Sequence, residues 1–218
     1  VLKSSVQKGT RKSQLMPGIT AIFFDIGGVL GTNGWGHVSR RRATDHFKLS
    51  WEGFEARHAV YSEALDTGKI SLQEYVEKVA LVDAKGVSAD EFKTFMRNES
   101  KPDRATIQLA SSLAAKKQLY LATLNNESPE LNDYRIELFR LADCFSAFFS
   151  SGYLGVRKPD RKIYEIALSV SHKSAQNSVF IDDREVNLTV PRSLGMQAIK
   201  FISAEQTKIA LGELGVDV

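Results

Sequence analysis

The apolar run Ile22-Phe23-Phe24 stops at a carboxylate, Asp25, and the chain then breaks into Ile26-Gly27-Gly28-Val29-Leu30. This reads as a buried strand that delivers an acid to its C-terminal edge. In open α/β sheets that edge is where ligands bind. Glycine amides approach an anion closely because no side chain stands in the way. A carboxylate beside an anion-binding loop is otherwise unfavourable, since the charges repel. The pairing makes sense when a cation sits between them, or when the carboxylate attacks the anion's central atom.

The rest of the chain fits that start. Its 218 residues suit one α/β domain with room for a small insert, and 43% hydrophobic residues allow a sizeable core. No apolar run approaches the ~20 residues that span a bilayer. The single Cys144 cannot form an internal disulfide, so we expect a reducing, cytoplasmic compartment and a cysteine that packs as a small apolar residue. The net charge of +3 is concentrated at one end. Lys3, Lys8, Arg11 and Lys12 precede Met16, no acid occurs before Asp25, and the remainder sits at −1. The body gives no reason to expect nucleic acid as a partner. Residues 1–17 are polar, basic and aperiodic, without the apolar stretch of a secretory signal, and read as a disordered extension. A start at Met16 and a transit peptide are both compatible with them.

Hydrophobic periodicity divides the chain beyond residue 17. Thr20–Asp25 is the first strand. Between residues 34 and 100 the pattern is helical: Trp51, Phe54, His58, Tyr61 and Leu65 share one face, and Leu72, Tyr75, Val76 and Val79 another. Ser71-Leu72-Gln73-Glu74 and Ser88-Ala89-Asp90-Glu91 look like capping boxes, placing helix starts near 72 and 89. We expect an insert of roughly four helices. Strand–helix alternation resumes after Pro102, with a helix over about 103–116, strands at Gln118–Thr123, Phe145–Ser150, Ser178–Asp182 and Gln197–Phe201, and helices after Ser128, Asp160, Asp183 and Ser203. Pro191 falls early enough in its helix to be tolerated. The expected architecture is a Rossmann-like parallel sheet flanked by helices, residues 18–33 and 101–218, with an inserted helical bundle at 34–100.

Asp25, Thr123, Lys158 and Asp182-Asp183 all stand at or just after strand ends, which converge on one edge of a parallel sheet. Singly each is ordinary. Asp182-Asp183 alone would be read as an N-cap and turn, Thr123 as a strand residue, Lys158 as a loop lysine. The ordered set resembles the motifs of the haloacid dehalogenase-like hydrolase superfamily. Asp25-Ile26-Gly27-Gly28-Val29-Leu30 matches the first motif, Leu121-Ala122-Thr123-Leu124-Asn125-Asn126 the second, Gly155-Val156-Arg157-Lys158-Pro159-Asp160 the third and Val179-Phe180-Ile181-Asp182-Asp183-Arg184 the fourth. The insert falls where that family carries a helical cap.

The resemblance implies a phosphatase acting on a small phosphorylated metabolite through an aspartyl-phosphate on Asp25. It implies Mg²⁺ held by Asp25, the Gly27 carbonyl, Asp183 and Asp182, with Asp183 the direct ligand of the pair and Asp182 direct or through water. Lys158 would offset the negative charge. Gly28, Thr123, Leu124, Asn125 and Lys158 would hold the phosphoryl oxygens, a direct role for Asn125 standing level with a simple turn. Magnesium prefers oxygen ligands and retains waters, which suits so few protein groups. One departure stands out. Most phosphatases of the superfamily carry a second Asp two residues after the nucleophile, as general acid and base, and here that residue is Gly27. Three routes stay open: the cap or a water supplies the proton, the leaving group is acidic enough, or efficient catalysis is lost. Some superfamily members with a glycine there, such as those resembling sugar-1-phosphate phosphatases, are regarded as active, which favours the first two. The rival readings are a weakened relative that binds a phospho-ligand or a protein, and a metal-free 2-haloacid dehalogenase. Among other candidates, His37, His46, His58 and His172 lack metal-ligand spacing. His58 is expected to be packed. His37 and Arg40-Arg41-Arg42 are expected to lie on a solvated helix start.

Overall fold

In the computed structural model, which describes residues 18–218, five strands form one parallel sheet. They are β1 (Ala21–Phe24), β2 (Tyr120–Asn125), β3 (Ala147–Ser150), β4 (Ser178–Asp182) and β5 (Gln197–Lys200), in the spatial order β3-β2-β1-β4-β5. The N-terminal extension lies outside the described residues. β1 is central, and the chain crosses from its β2–β3 side to its β4–β5 side, which makes its carboxyl end a topological switch point. Its run of apolar residues is explained by burial on both faces. Ile22 and Phe24 pack into one core with Leu109, Leu113, Val179 and Leu211, while Ala21 and Phe23 pack into a second with Leu124, Ile163, Phe180 and Leu188. Phe24 is level with Thr123 on one side and Ile181 on the other, so Asp25 is in register with Asp182.

The helices that wrap the sheet are α5 (Arg104–Ala115), α6 (Pro129–Leu138), the short α7 (Ser151–Leu154), α8 (Arg161–Ser171), α9 (Glu185–Leu194) and α10 (Ala204–Glu213). Ser128 caps α6, with Pro129 as its first residue. Two strands begin later than the sequence pattern suggests. Lys117 turns the chain through a left-handed backbone before β2, and a 3-10 turn at Leu141–Asp143 delays β3, leaving Phe145 to pack edge-on against Phe24.

The chain leaves the sheet at Thr32 and returns at Lys101 along paired linkers: the Thr32 amide donates to the Lys101 carbonyl (2.9 Å), and the Lys101 amide to the Thr32 hydroxyl (3.0 Å). Between them lie α1 (His37–Phe47), α2 (Trp51–Asp66), α3 (Leu72–Val79) and α4 (Ala89–Asn98), built on their own core of Phe54, Leu65, Tyr75, Val79, Phe92 and Met96. Ser71 and Glu74 form the full capping box; Ser88 and Ser203 cap only in one direction. The four helices rest on the sheet unit at the turn after α2. Gly68 has a positive φ of 67°, and a Cβ on it would overlap the Gly152 carbonyl, so the two backbones meet directly. Arg157, in the loop before α8, donates to Asp66 and Glu63 of α2 (3.1 Å each).

Pro191 departs from the sequence expectation: it lies in the second half of α9, not near its start. A proline there removes the hydrogen bond to the carbonyl four residues earlier, that of Asn187. The Tyr164 hydroxyl supplies the replacement, donating to the Asn187 carbonyl at 2.8 Å in a buried setting. We predict that Tyr164→Phe costs about 1–3 kcal/mol, the penalty of a buried unsatisfied carbonyl. With Pro191→Ala, whose N–H can reach that carbonyl, the same change should cost less than about 1 kcal/mol. Urea unfolding of the four proteins in this cycle measures the coupling; equal losses in both backgrounds would break the link between Tyr164 and Pro191.

Candidate active site

Asp25 closes β1 with its amide donating to the Ile181 carbonyl (2.9 Å), which fixes the residue before its side chain turns into the edge. Its Oδ1 accepts the Ile26 amide (2.8 Å) and stands 2.9 Å from Lys158 Nζ; both contacts fall on that one oxygen. Lys158 Nζ also donates to Asp182 Oδ2 (2.7 Å) and lies over the Phe180 ring. Burial alone would lower the Lys158 ammonium, but Asp25 and Asp182 outweigh it and hold it above its ordinary value. Burial pushes the Asp25 carboxyl up to about 7 against the pull of Lys158, with Asp182 and Asp183 adding to the rise. Burial and Asp182 likewise raise Asp183.

Two asparagines set this geometry. Asn126 clamps the Lys158 backbone, its Oδ1 accepting the Lys158 amide (2.8 Å) and its Nδ2 donating to the Lys158 carbonyl (2.9 Å). Asn187 Nδ2 donates to both oxygens of Asp182 (3.0 Å each), and the Arg184 amide donates to Asp182 Oδ1 (2.8 Å). Asp182 is therefore fully buried and spent within the protein. Asp183 faces the cavity, and its Oδ1 is buried without a hydrogen-bond partner among the described residues.

Oxygens of Asp25, Asp182 and Asp183 lie within 4.8 Å of one another. Three carboxylates against one ammonium leave an excess of negative charge in a buried pocket. An orphaned Asp183 oxygen and an all-oxygen donor set fit a hard divalent cation. The Gly27 carbonyl and amide make no hydrogen bonds among the described residues, so both are available at the same edge. Gly28 is different: its amide donates to the Gly31 carbonyl (2.8 Å) and is unavailable to a ligand. What Gly28 contributes is room. At its φ of 76°, a Cβ would overlap the Asp183 carboxylate.

The cavity encloses about 1140 Å³ between the sheet edge and the helical insert. Asp25, Gly27, Gly28, Lys158 and Asp183 line it. Thr123 and Leu124 are buried at the end of β2, the Thr123 hydroxyl without a partner and Leu124 in the second core. Asn125 does not line the cavity; its Nδ2 donates to Asn132 (3.1 Å), and its neighbour Asn126 takes the lining position. From the insert, His37 lines the cavity with its ring edge-on to Trp51. Arg41 stays on the outer face, its guanidinium over Trp51 and paired with Asp45. Arg40, expected beside it on a solvated helix start, instead turns inward, held by Glu55 (2.6 Å) and the Trp35 carbonyl (3.1 Å). His58 is packed, as expected, and also faces the cavity. Trp35 Nε1 donates to the Tyr75 hydroxyl (2.9 Å), which also hydrogen-bonds His58 Nδ1 (2.7 Å). Burial, helped by Arg40, lowers the imidazole to about 4, so it is neutral.

Glu127 and Arg135, which the sequence pattern does not single out, are both cavity-lining and buried. Glu127 Oε1 accepts the Ser128 amide (3.1 Å), and its Oε2 stands 3.7 Å from Arg135 Nη1. Burial raises the Glu127 carboxyl from 4.5 to about 7, Arg135 opposing.

A family model described as haloacid dehalogenase-like hydrolase matches residues 19–195. A sesquiterpene phosphatase of Aspergillus oryzae is 25% identical over 203 residues, covering 89% of this chain and 95% of that protein. A HAD family enzyme of Bacteroides thetaiotaomicron superposes with a TM-score of 0.72 at 19% identity, over 89% of this chain and 99% of that one. An L-2-haloacid dehalogenase of Xanthobacter autotrophicus gives 0.60 at 16% identity, over 89% and 83%. At such identities the two structures speak to the fold alone.

The raised Glu127 carboxyl makes a stability prediction. A folded-state pKa above the unfolded one means the folded protein holds the proton more tightly, so stability is full below about pH 4.5 and lost as pH rises through about 7. Asp25 acts in the same direction, so the comparison must be between proteins. Metal-free Glu127→Gln should lose less stability between pH 4.5 and 8 than the parent, by on the order of 3 kcal/mol at most. Urea unfolding across that range measures it; parallel curves would contradict the assignment.

Proposed function

The chain belongs to the haloacid dehalogenase-like hydrolases, and we propose that it is a Mg²⁺-dependent phosphatase releasing phosphate from a small phosphorylated metabolite. The observation that carries this reading is the cluster of Asp25, Asp182 and Asp183 around a single ammonium, beside a glycine loop with a free carbonyl. Haloacid dehalogenation on carbon has no need of two extra carboxylates at the nucleophile. The similar sequence of a phosphatase supports the same choice. In this reading residues 18–33 and 101–218 are the catalytic core, and 34–100 the cap that closes over it.

Asp25, Asp183 and the Gly27 carbonyl would hold the ion, with Asp182 behind them. Bound Mg²⁺ would cancel the repulsion between the phosphate dianion and Asp25. Asp25 is the nucleophile: Lys158 and the Ile26 amide hold Oδ1, and the carboxylate forms the aspartyl-phosphate, an acyl phosphate that water then hydrolyses. Lys158 neutralises charge on Asp25 and the phosphoryl oxygens, and the Gly27 amide is a donor for those oxygens; the Thr123 hydroxyl, buried at the end of β2, does not line the cavity. Asp182 orients Lys158. The cavity wall mixes charged and polar side chains with apolar ones, among them Trp35, Val38, Leu65 and Val186, so it offers contacts to a polar and to an apolar organic group alike.

The test is phosphate release from p-nitrophenyl phosphate, glucose 1-phosphate and farnesyl phosphate with Mg²⁺ and with EDTA. Metal-dependent turnover is expected, with the two natural-type esters ranking the polar reading against an isoprenoid one. Absence of metal-dependent turnover on all three would remove the phosphatase reading. Asp183→Asn should weaken Mg²⁺ binding at least about tenfold by calorimetry with the fold intact, since it removes one of few charged ligands. Unchanged affinity would displace the metal site. Asp25→Asn should form no phosphoryl-enzyme, read by intact-protein mass after substrate addition and acid quench.

A further inference from the structure

We propose that Arg135 does the work left undone by Gly27: its Nη1 amino group hydrogen-bonds the oxygen of the departing alcohol, and Glu127 holds it there. The inference rests on the phosphatase reading above. A Cβ built on Gly27 meets nothing closer than 3.5 Å, and its two nearest side-chain atoms are Asn33 Oδ1 at 3.5 Å and Arg135 Nη1 at 3.6 Å. The space into which a side chain at 27 would project is thus faced by a guanidinium. Arg135 is 2% exposed, a rare burial for this residue type. Nε donates to Ser100 Oγ (3.2 Å) and Nη2 to the Thr32 carbonyl (3.2 Å). Nη1 makes no hydrogen bond among the described residues. Its nearest carboxylate oxygen, Glu127 Oε2, is at 3.7 Å, beyond hydrogen-bond reach. A buried cation anchored at two nitrogens, with the third unspent and turned to the cavity of Asp25 and Lys158, is a preorganised donor awaiting an acceptor.

Thr32 and Ser100 lie on the two linkers of the insert, so a purely structural Arg135 would clamp that hinge. This accounts for Nε and Nη2 and leaves Nη1 with an ion pair to Glu127 but no hydrogen bond among the described residues. Glu127 fits the catalytic reading: its Oε1 is fixed by the Ser128 amide, which points Oε2 at Nη1.

The chemistry balances without an acid. As the Asp25 carboxylate forms its bond to phosphorus, the bond from phosphorus to the alcohol oxygen breaks, and that oxygen leaves with the electron pair as an alkoxide. Arg135 stays protonated, as guanidinium does in proteins, and stabilises the alkoxide by hydrogen bonding. The alkoxide takes a proton from cavity water. The hydroxide so formed, or its equivalent, hydrolyses the aspartyl-phosphate to carboxylate and hydrogen phosphate.

The experiment compares kcat/KM, with Mg²⁺, for 2,4-dinitrophenyl phosphate and a series of aryl and alkyl phosphates of rising leaving-group pKa. Arg135→Gln should lower alkyl phosphate turnover about 10²–10³-fold, the usual effect of removing one such donor, and dinitrophenyl phosphate less than about tenfold. Arg135→Lys, which keeps the charge but withdraws Nη1, should show the same selectivity, and carries the comparison alone should the Gln protein fail to fold. Adding Gly27→Asp to either variant should restore alkyl turnover at least about tenfold, because the carboxyl then occupies the space Nη1 leaves. Equal losses for all esters, or none, would overturn the proposal and leave Arg135 a hinge clamp. If the parent hydrolyses not even dinitrophenyl phosphate, the phosphatase reading fails instead.

Discussion

Lys158 stands with its ammonium 2.9 Å from Asp25 and 2.7 Å from Asp182, almost wholly removed from water. Burying one ammonium among three carboxylates is costly, and the attraction within the group offsets only part of the desolvation. Much of the surrounding structure can be understood as what makes that arrangement tolerable. Asp182 accepts from Lys158, the Arg184 amide and Asn187. Asp25 takes the next amide in its own chain. The one acidic oxygen left buried without a donor in this group belongs to Asp183, at the cavity. The unfavourable remainder is concentrated where a cation from solution can cancel it.

Support for that centre reaches well into the helices. Pro191 deprives the Asn187 carbonyl of its helical partner, Tyr164 from α8 takes it, and Asn187 turns its amide onto Asp182. A helix defect, a core tyrosine and a site carboxylate thus form one hydrogen-bonded chain between α8, α9 and β4. Asn126 performs the matching service on the other side of the sheet, holding the Lys158 backbone through both atoms of its amide.

The sheet and the meeting of Asp25 with Asp183 were legible in the sequence for one reason, whereas Lys158, beyond α7 rather than at the end of β3, was legible only through the order of the motifs. In a parallel sheet, residues at strand ends converge however the helices pack, so strand ends alone locate the edge. What depended on side-chain direction was not legible. Asp182 and Asp183 are adjacent and identical, yet one is spent inside and the other faces the cavity. Gly28 promised an amide and gives only room, because the turn to Gly31 consumes its N–H. Asn125 and Asn126 differ by the alternation of a strand end. Arg40 and Arg41 differ by one helical step, and only the first finds a partly buried acid, Glu55. Arg135 carried no signal at all, since an arginine on a helix is read as exposed until the neighbours that bury it are known. Pro191 was placed on the right helix, but the tyrosine that excuses it lies on another.

Arg157 and Lys158 are consecutive, yet their side chains address different parts of the molecule. Arg157 reaches Glu63 and Asp66 at the end of α2, and Lys158 reaches Asp25 and Asp182. One peptide unit therefore joins the ion pair that seats the helical insert to the ion pair at Asp25. Adjacency alone does not couple the two pairs, but any coupling that this backbone carries is reciprocal. A charge at Asp25 that altered the seating of the insert through this backbone would do so by the same free energy by which seating alters the affinity for that charge.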